Sequence, residues 1–113
     1  MADLLGIDPH LVEVKRDAMF LHTGNVYIEV SQSPPWIDYY KPSGINVTTA
    51  DYWAFVCGEA VTLVPTNVIR KCVASQDREP RDGGLNGDNP TKGYTLSLRA
   101  LLHLAAAAGK DDR

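Results

Sequence analysis

A chain of 113 residues, 44% hydrophobic and 22% charged, has the composition of a folded globular protein with one core, which excludes wholesale disorder and a division into several domains. The formal net charge of −3 argues against tight, metal-free, non-specific binding of nucleic acid, since such binders are usually basic, although a bound cation and local patches offset a total of this size. The longest apolar run, Ala100 to Ala108, contains His103 and stops well short of the ~20 residues that span a bilayer, and Asp3 near the start leaves no basic leader. Cytoplasmic residence is expected.

Ala2 to Leu5 and Leu11 to Lys15 read as short strands, with Gly6, Asp8 and Pro9 supplying a turn between them. Side chains alternate along a strand, so Glu13 and Lys15 share one face and Val12 and Val14 the other. If the strands pair, Asp3 reaches the same patch. Two carboxylates gather a hard divalent cation such as Mg²⁺, and a lysine beside them orients a water or steadies charge building on a phosphate. After Arg16 and Asp17, a turn at His22 to Asn25 leads into a strand over Val26 to Val30. Its Val26, Ile28 and Val30 face one way and its Tyr27 and Glu29 the other. Glu29 is then either a third acid near the first two or a solvated edge residue, and His22 a turn residue or a general base.

Ser31 to Gly44 reads as a loop, because the prolines at 34, 35 and 42 remove backbone donors. It is unusually aromatic: Trp36, Tyr39 and Tyr40 lie close to Lys41. Such a group stacks bases and attracts phosphate, or fastens the loop to the domain, or meets a partner. Thr48 and Thr49 are possible caps of a short helix that would bring Asp51 and Tyr52 toward the face of Glu13. Trp53 to Cys57 and Ala60 to Val64 form a hairpin about Gly58 and Glu59, ended by Pro65. Thr66 then caps a helix over residues 67–74 whose Val68, Ile69, Cys72 and Val73 make one apolar side. Cys57 and Cys72 have no second Cys or His at metal-ligand spacing and read as reduced core thiols. Residues 75–93, charged and glycine-rich, read as an exposed flexible loop. A strand from Tyr94 to Leu98 and a helix from Arg99 to Ala108, stopped by Gly109, complete a C-terminal strand-helix unit at 94–109.

Asp3 followed by Glu13-Val14-Lys15 resembles the active-site signature of the PD-(D/E)xK nuclease superfamily. Thr23-Gly24-Asn25-Val26-Tyr27-Ile28-Glu29, Lys41-Pro42-Ser43-Gly44-Ile45 and Thr48-Thr49-Ala50-Asp51-Tyr52-Trp53 are similar to small phage-encoded nuclease-like proteins of that superfamily. The similarity covers residues 2–74 and fades afterwards. It implies an α/β domain over residues 1–113, with a mixed central sheet, flanking helices and a restriction-endonuclease-like core. Only Met1 and Ala2 precede Asp3, so that core lacks its usual N-terminal helix, a place left to the C-terminal helix or to a second subunit.

The function so implied is a Mg²⁺-dependent (or Mn²⁺-dependent) DNA endonuclease. Asp3 and Glu13 would hold the metal, Lys15 would position water or stabilise the transition state, and Glu29 would be an auxiliary acid. Arg16, Trp36, Tyr39, Tyr40, Lys41, Ser43, Thr48 and Thr49 would contact DNA. The alternatives are a catalytically inactive nuclease-like module that binds DNA or a host protein, as a viral inhibitor of a host system would, and a purely structural subunit. A sheet with so little chain before it also predicts a homodimer, with Leu101, Leu102 and Leu104 buried at the contact or against the sheet.

Overall fold

The computed structural model describes residues 11–16, 23–87 and 89–111, with side chains as far as residue 107. The expected strand at 2–5, with Asp3, and the turn residue His22 lie outside the described residues. Among the described residues seven strands and two helices follow in the order β1 (Val12–Arg16), β2 (Asn25–Gln32), β3 (Lys41–Pro42), β4 (Tyr52–Cys57), β5 (Ala60–Pro65), α1 (Thr66–Ala74), β6 (Arg81–Asn86), β7 (Asn89–Ser97) and α2 (Leu98–Asp111), with a 3-10 turn at Gly44–Asn46 between β3 and β4. The class is α/β, as expected. The strands divide between two sheets, a mixed one of order β1-β4-β5 and an antiparallel one of order β3-β2-β7-β6.

In the mixed sheet β1 runs parallel to β4, placing Glu13 opposite Trp53 and Lys15 opposite Phe55. Neighbours in register point to the same side, so the polar face of β1 is continuous with Trp53, Phe55 and Val64, which are buried. The apolar face of β1 turns outward instead: Val14 is 55% exposed, and Val61 and Leu63 of β5 are exposed with it. The antiparallel sheet supplies Val26, Ile28, Val30 and Leu96 to the core, α1 adds Val68 and Ile69, and α2 adds Leu98 and Leu101. Each such side chain, fully buried, contributes about 1.5–3 kcal/mol. Leu101 is covered within the subunit, whereas Leu102 and Leu104 are exposed.

Four local expectations are corrected. The loop after β2 shortens to residues 33–40, because β2 runs on to Gln32 and pairs with β3. Pro42 is tolerated there since β3 is an edge strand. No helix forms over Thr48 to Trp53. The chain turns at Gly44, whose φ of 55° suits glycine and where a Cβ would fall on the carbonyl oxygen of Glu29. Thr48 then spends its hydroxyl on the Ala50 amide (3.2 Å) and on Glu13, which competes with helical bonding. Thr66 does not cap α1: its hydroxyl is buried and donates to the Ala50 carbonyl (2.8 Å), while Pro65 holds the cap position.

The fourth correction concerns residues 75–93. Residues 75–80 are irregular, but from Arg81 onward β6 and β7 form an antiparallel hairpin in place of a loop, with Arg81 facing Gly93 and Gly84 facing Thr91. β6 is exposed throughout, its single large apolar side chain, Leu85, included. Its seat is the ring of Tyr27: a Cβ on Gly83 would fall on that ring, and one on Gly93 would meet both the ring and the Ile28 carbonyl.

Candidate active site

Strand alternation places Glu13 and Lys15 side by side on the inward face of β1, as their spacing predicts, and they form an ion pair of 2.6 Å. The Lys15 ammonium also lies 4.8 Å from the centre of the Trp53 ring, a cation-π contact that holds its stem over the opposing strand. The second carboxylate oxygen of Glu13 accepts a hydrogen bond from Thr48 (2.9 Å). Both partners of the ion pair are half-buried, a setting in which such a pair is worth at most about 1 kcal/mol. Glu13 is therefore fixed in place without being locked to Lys15.

Lys15 and Arg16 open onto a groove of ≈ 300 Å³ whose other walls include Tyr27, Glu29, Trp53 and Gly83. Glu29 is thus brought to the same groove as Lys15 from a different sheet. Its carboxylate accepts from Ser43 (2.8 Å) and from Asn86 (3.4 Å). Trp53 is buried and its indole N–H has no hydrogen-bond partner among the described residues. The Tyr27 hydroxyl shares a hydrogen bond of 2.9 Å with Thr91. Burial pushes the Tyr27 phenol above its ordinary value, against the lowering effect of the Thr91 bond and with the help of the Glu29 and Asp82 carboxylates. It is neutral at pH 7.

Glu13 and Glu29 offer hard oxygen donors of the kind Mg²⁺ takes, and Mg²⁺ is commonly held by one or two protein carboxylates with water and phosphate completing its shell. Among the described residues no group of three or more acidic, His or Cys side chains could hold a metal. Asp3, the partner expected for Glu13, lies outside them.

The residues expected to contact DNA separate into two sets. Ser43 is buried and engaged with Glu29, and Thr48 is engaged with Glu13, so both support acids. Arg16 lines the groove, and Thr49 is exposed without lining it. The aromatic group stands apart on the loop at 33–40 and beside it: Trp36 is 75% and Tyr39 65% exposed, with Lys41 6.0 Å from the Trp36 ring. Tyr40 is covered by a cation that sequence reading missed, Lys92 of β7, at 4.4 Å. Tyr27, Asn86 and Gly83 were missed as well. For Tyr27 the signal was present, since it alternates with Val26 and Ile28 onto the face of Glu29; for Asn86 and Gly83 none was, because only the hairpin brings them in.

Comparison with protein-family models, curated proteins and solved structures finds no match to this chain.

Proposed function

We propose that the chain is a Mg²⁺-dependent deoxyribonuclease of the PD-(D/E)xK kind, acting at the mouth of the Lys15 groove. The observation that carries this reading is the placement of Glu13 and Lys15 in contact on one inward strand face, with Glu29 on another wall of the groove that Lys15 lines. Glu13, with Asp3 as its expected partner and Glu29 as auxiliary, would hold the cation. When bound, the cation supplies Lewis-acid stabilisation of a phosphate and acidifies a water. Thr48 orients the Glu13 carboxylate, and the Trp53 ring directs the Lys15 ammonium. Lys15 donates hydrogen bonds to a non-bridging phosphate oxygen as negative charge grows on it, or aims the attacking water. Incubation of plasmid DNA with Mg²⁺ tests the reading: nicking or linearisation is expected, and Glu13→Ala abolishes it.

A second reading rests on the exposed Trp36 and Tyr39 beside Lys41. In it the chain is an inactive nuclease-like module that binds DNA or a host protein through this loop. Binding that survives Glu13→Ala and falls with Trp36→Ala, in a protein that never cuts, selects this reading. For either one we propose a homodimer, to which the outward side chains Val14, Val61 and Leu63 and the exposed Leu102 and Leu104 give an apolar surface to cover. Light scattering at tens of micromolar is expected to give twice the monomer mass; a monomer mass overturns the dimer.

A further inference from the structure

A second cleft, of ≈ 360 Å³, is lined by Arg78, Arg81, Asp82, Gly83 and Gly93 together with Tyr27. It adjoins the Lys15 groove, since Tyr27 and Gly83 line both. Arg78 and Arg81 are exposed, and among the described residues neither guanidinium forms an ion pair or a side-chain hydrogen bond. The backbone at Arg78 is pinned, because its carbonyl accepts from the Tyr94 hydroxyl (2.9 Å). Asp82 is the one carboxylate in the cleft. Among the described lining residues two guanidinium groups stand against one acid, with Asp77 and Glu79 flanking Arg78 in the chain, so the lining itself is cationic in a protein whose net charge is −3.

We propose that this cleft binds the phosphodiester backbone of a nucleic-acid strand, holding the part of the strand that runs on from the Lys15 groove. This rests on the nuclease reading for the direction of the strand, but the cleft's chemistry stands on its own residues. A guanidinium fork matches two phosphate oxygens, so each arginine can take a backbone phosphate in a bidentate grip. A free phosphate would meet two exposed arginines in an open cleft and gain little. A strand anchored in the groove meets them as a second, intramolecular contact, which multiplies affinity without further burial.

The test is fluorescence anisotropy of a labelled single-stranded oligonucleotide of about twelve nucleotides, with Ca²⁺ replacing Mg²⁺, over a range of KCl concentrations. Arg78→Gln with Arg81→Gln is expected to weaken binding at least ~10-fold at low salt and to flatten the log-log salt slope by about 1.4, near 0.7 for each single-strand phosphate contact. Asp82→Asn is expected to tighten binding by about threefold, the opposite sign, by removing a like charge from the phosphate path. Circular dichroism melts check that the variants fold, as the two arginines support no other side chain. Binding that is absent, or whose affinity and slope are unchanged by the double substitution, overturns the proposal. So does displacement of the oligonucleotide by millimolar inorganic phosphate as complete as that by unlabelled strand, since that marks a free-anion site. Cleavage in Mg²⁺ is scored separately. Arginine-dependent binding without any cleavage defeats the nuclease reading alone, whereas Glu13-dependent cleavage with arginine-independent binding defeats the cleft alone.

Discussion

Strand β1 and strand β6 of the β6–β7 hairpin lie against the same groove, yet β1 is readable from five residues and β6 from none of its own. In β1 the alternation of Val, Glu, Val and Lys determines which side chains share a face, and no distant contact is needed to know that Glu13 meets Lys15. In β6 every residue is exposed and the sequence Arg-Asp-Gly-Gly-Leu-Asn has the composition of a linker. What makes it a strand is a ring more than fifty positions earlier in the chain, seated where Gly83 and Gly93 have no side chains. Local pattern places chemistry on a strand; long-range fit decides which strands border it.

The largest effect is expected at Gly93. Valine there meets both the Tyr27 ring and the Ile28 carbonyl in the middle of the antiparallel sheet, so Gly93→Val is expected to destabilise the fold by about 3 kcal/mol or more, read as the urea midpoint. A midpoint within experimental error of the unsubstituted protein would show that the hairpin does not depend on this seat.

A smaller effect sharpens the other half of the comparison. If Glu13 holds a cation, ligand linkage stabilises the fold by about 1.4 kcal/mol at ten times the dissociation constant, a rise in Tm of roughly 5 °C. Mg²⁺ or Mn²⁺ at millimolar concentration should produce that rise in differential scanning fluorimetry, and Glu13→Gln should remove most of it. No shift in the unsubstituted protein counts against a working site.

The smallest effect is at Tyr27, the residue common to both regions. Burial raises its pKa above the unfolded value, so its contribution to stability is fully present below the unfolded pKa, near 10, and is lost as pH rises through the folded one. Tm should therefore fall more steeply above about pH 10 in the unsubstituted protein than in Tyr27→Phe. Equal slopes would remove the phenol from the account.

Much of the fold was legible because its signals are local. The alternation of Val26, Ile28 and Val30, the Gly58 turn between β4 and β5, and the apolar side of α1 all appear where their patterns predict them. The errors fall where a side chain is used by something distant. Thr66 looks like a cap but is drawn inward to the Ala50 carbonyl. Thr48 looks like a helix start but is taken by Glu13, and Ser43, read as a DNA contact, is taken by Glu29. At the candidate site the acid and the lysine were visible, while the residues that position them were not. A hydroxyl carries no record in sequence of which carboxylate it will meet.

In the proposed reaction Lys15 acts on the scissile phosphate from the groove that it lines with Glu29. Single-turnover cleavage with the protein in excess over a labelled DNA duplex separates that role from binding. Lys15→Met keeps the apolar stem over Trp53 and removes the charge. In this variant the cleavage rate in Mg²⁺ is expected to fall by about 10³-fold while DNA affinity in Ca²⁺ stays within about threefold and Tm is nearly unchanged. A variant that cuts at the unsubstituted rate, or an unsubstituted protein that does not cut at all, would contradict it.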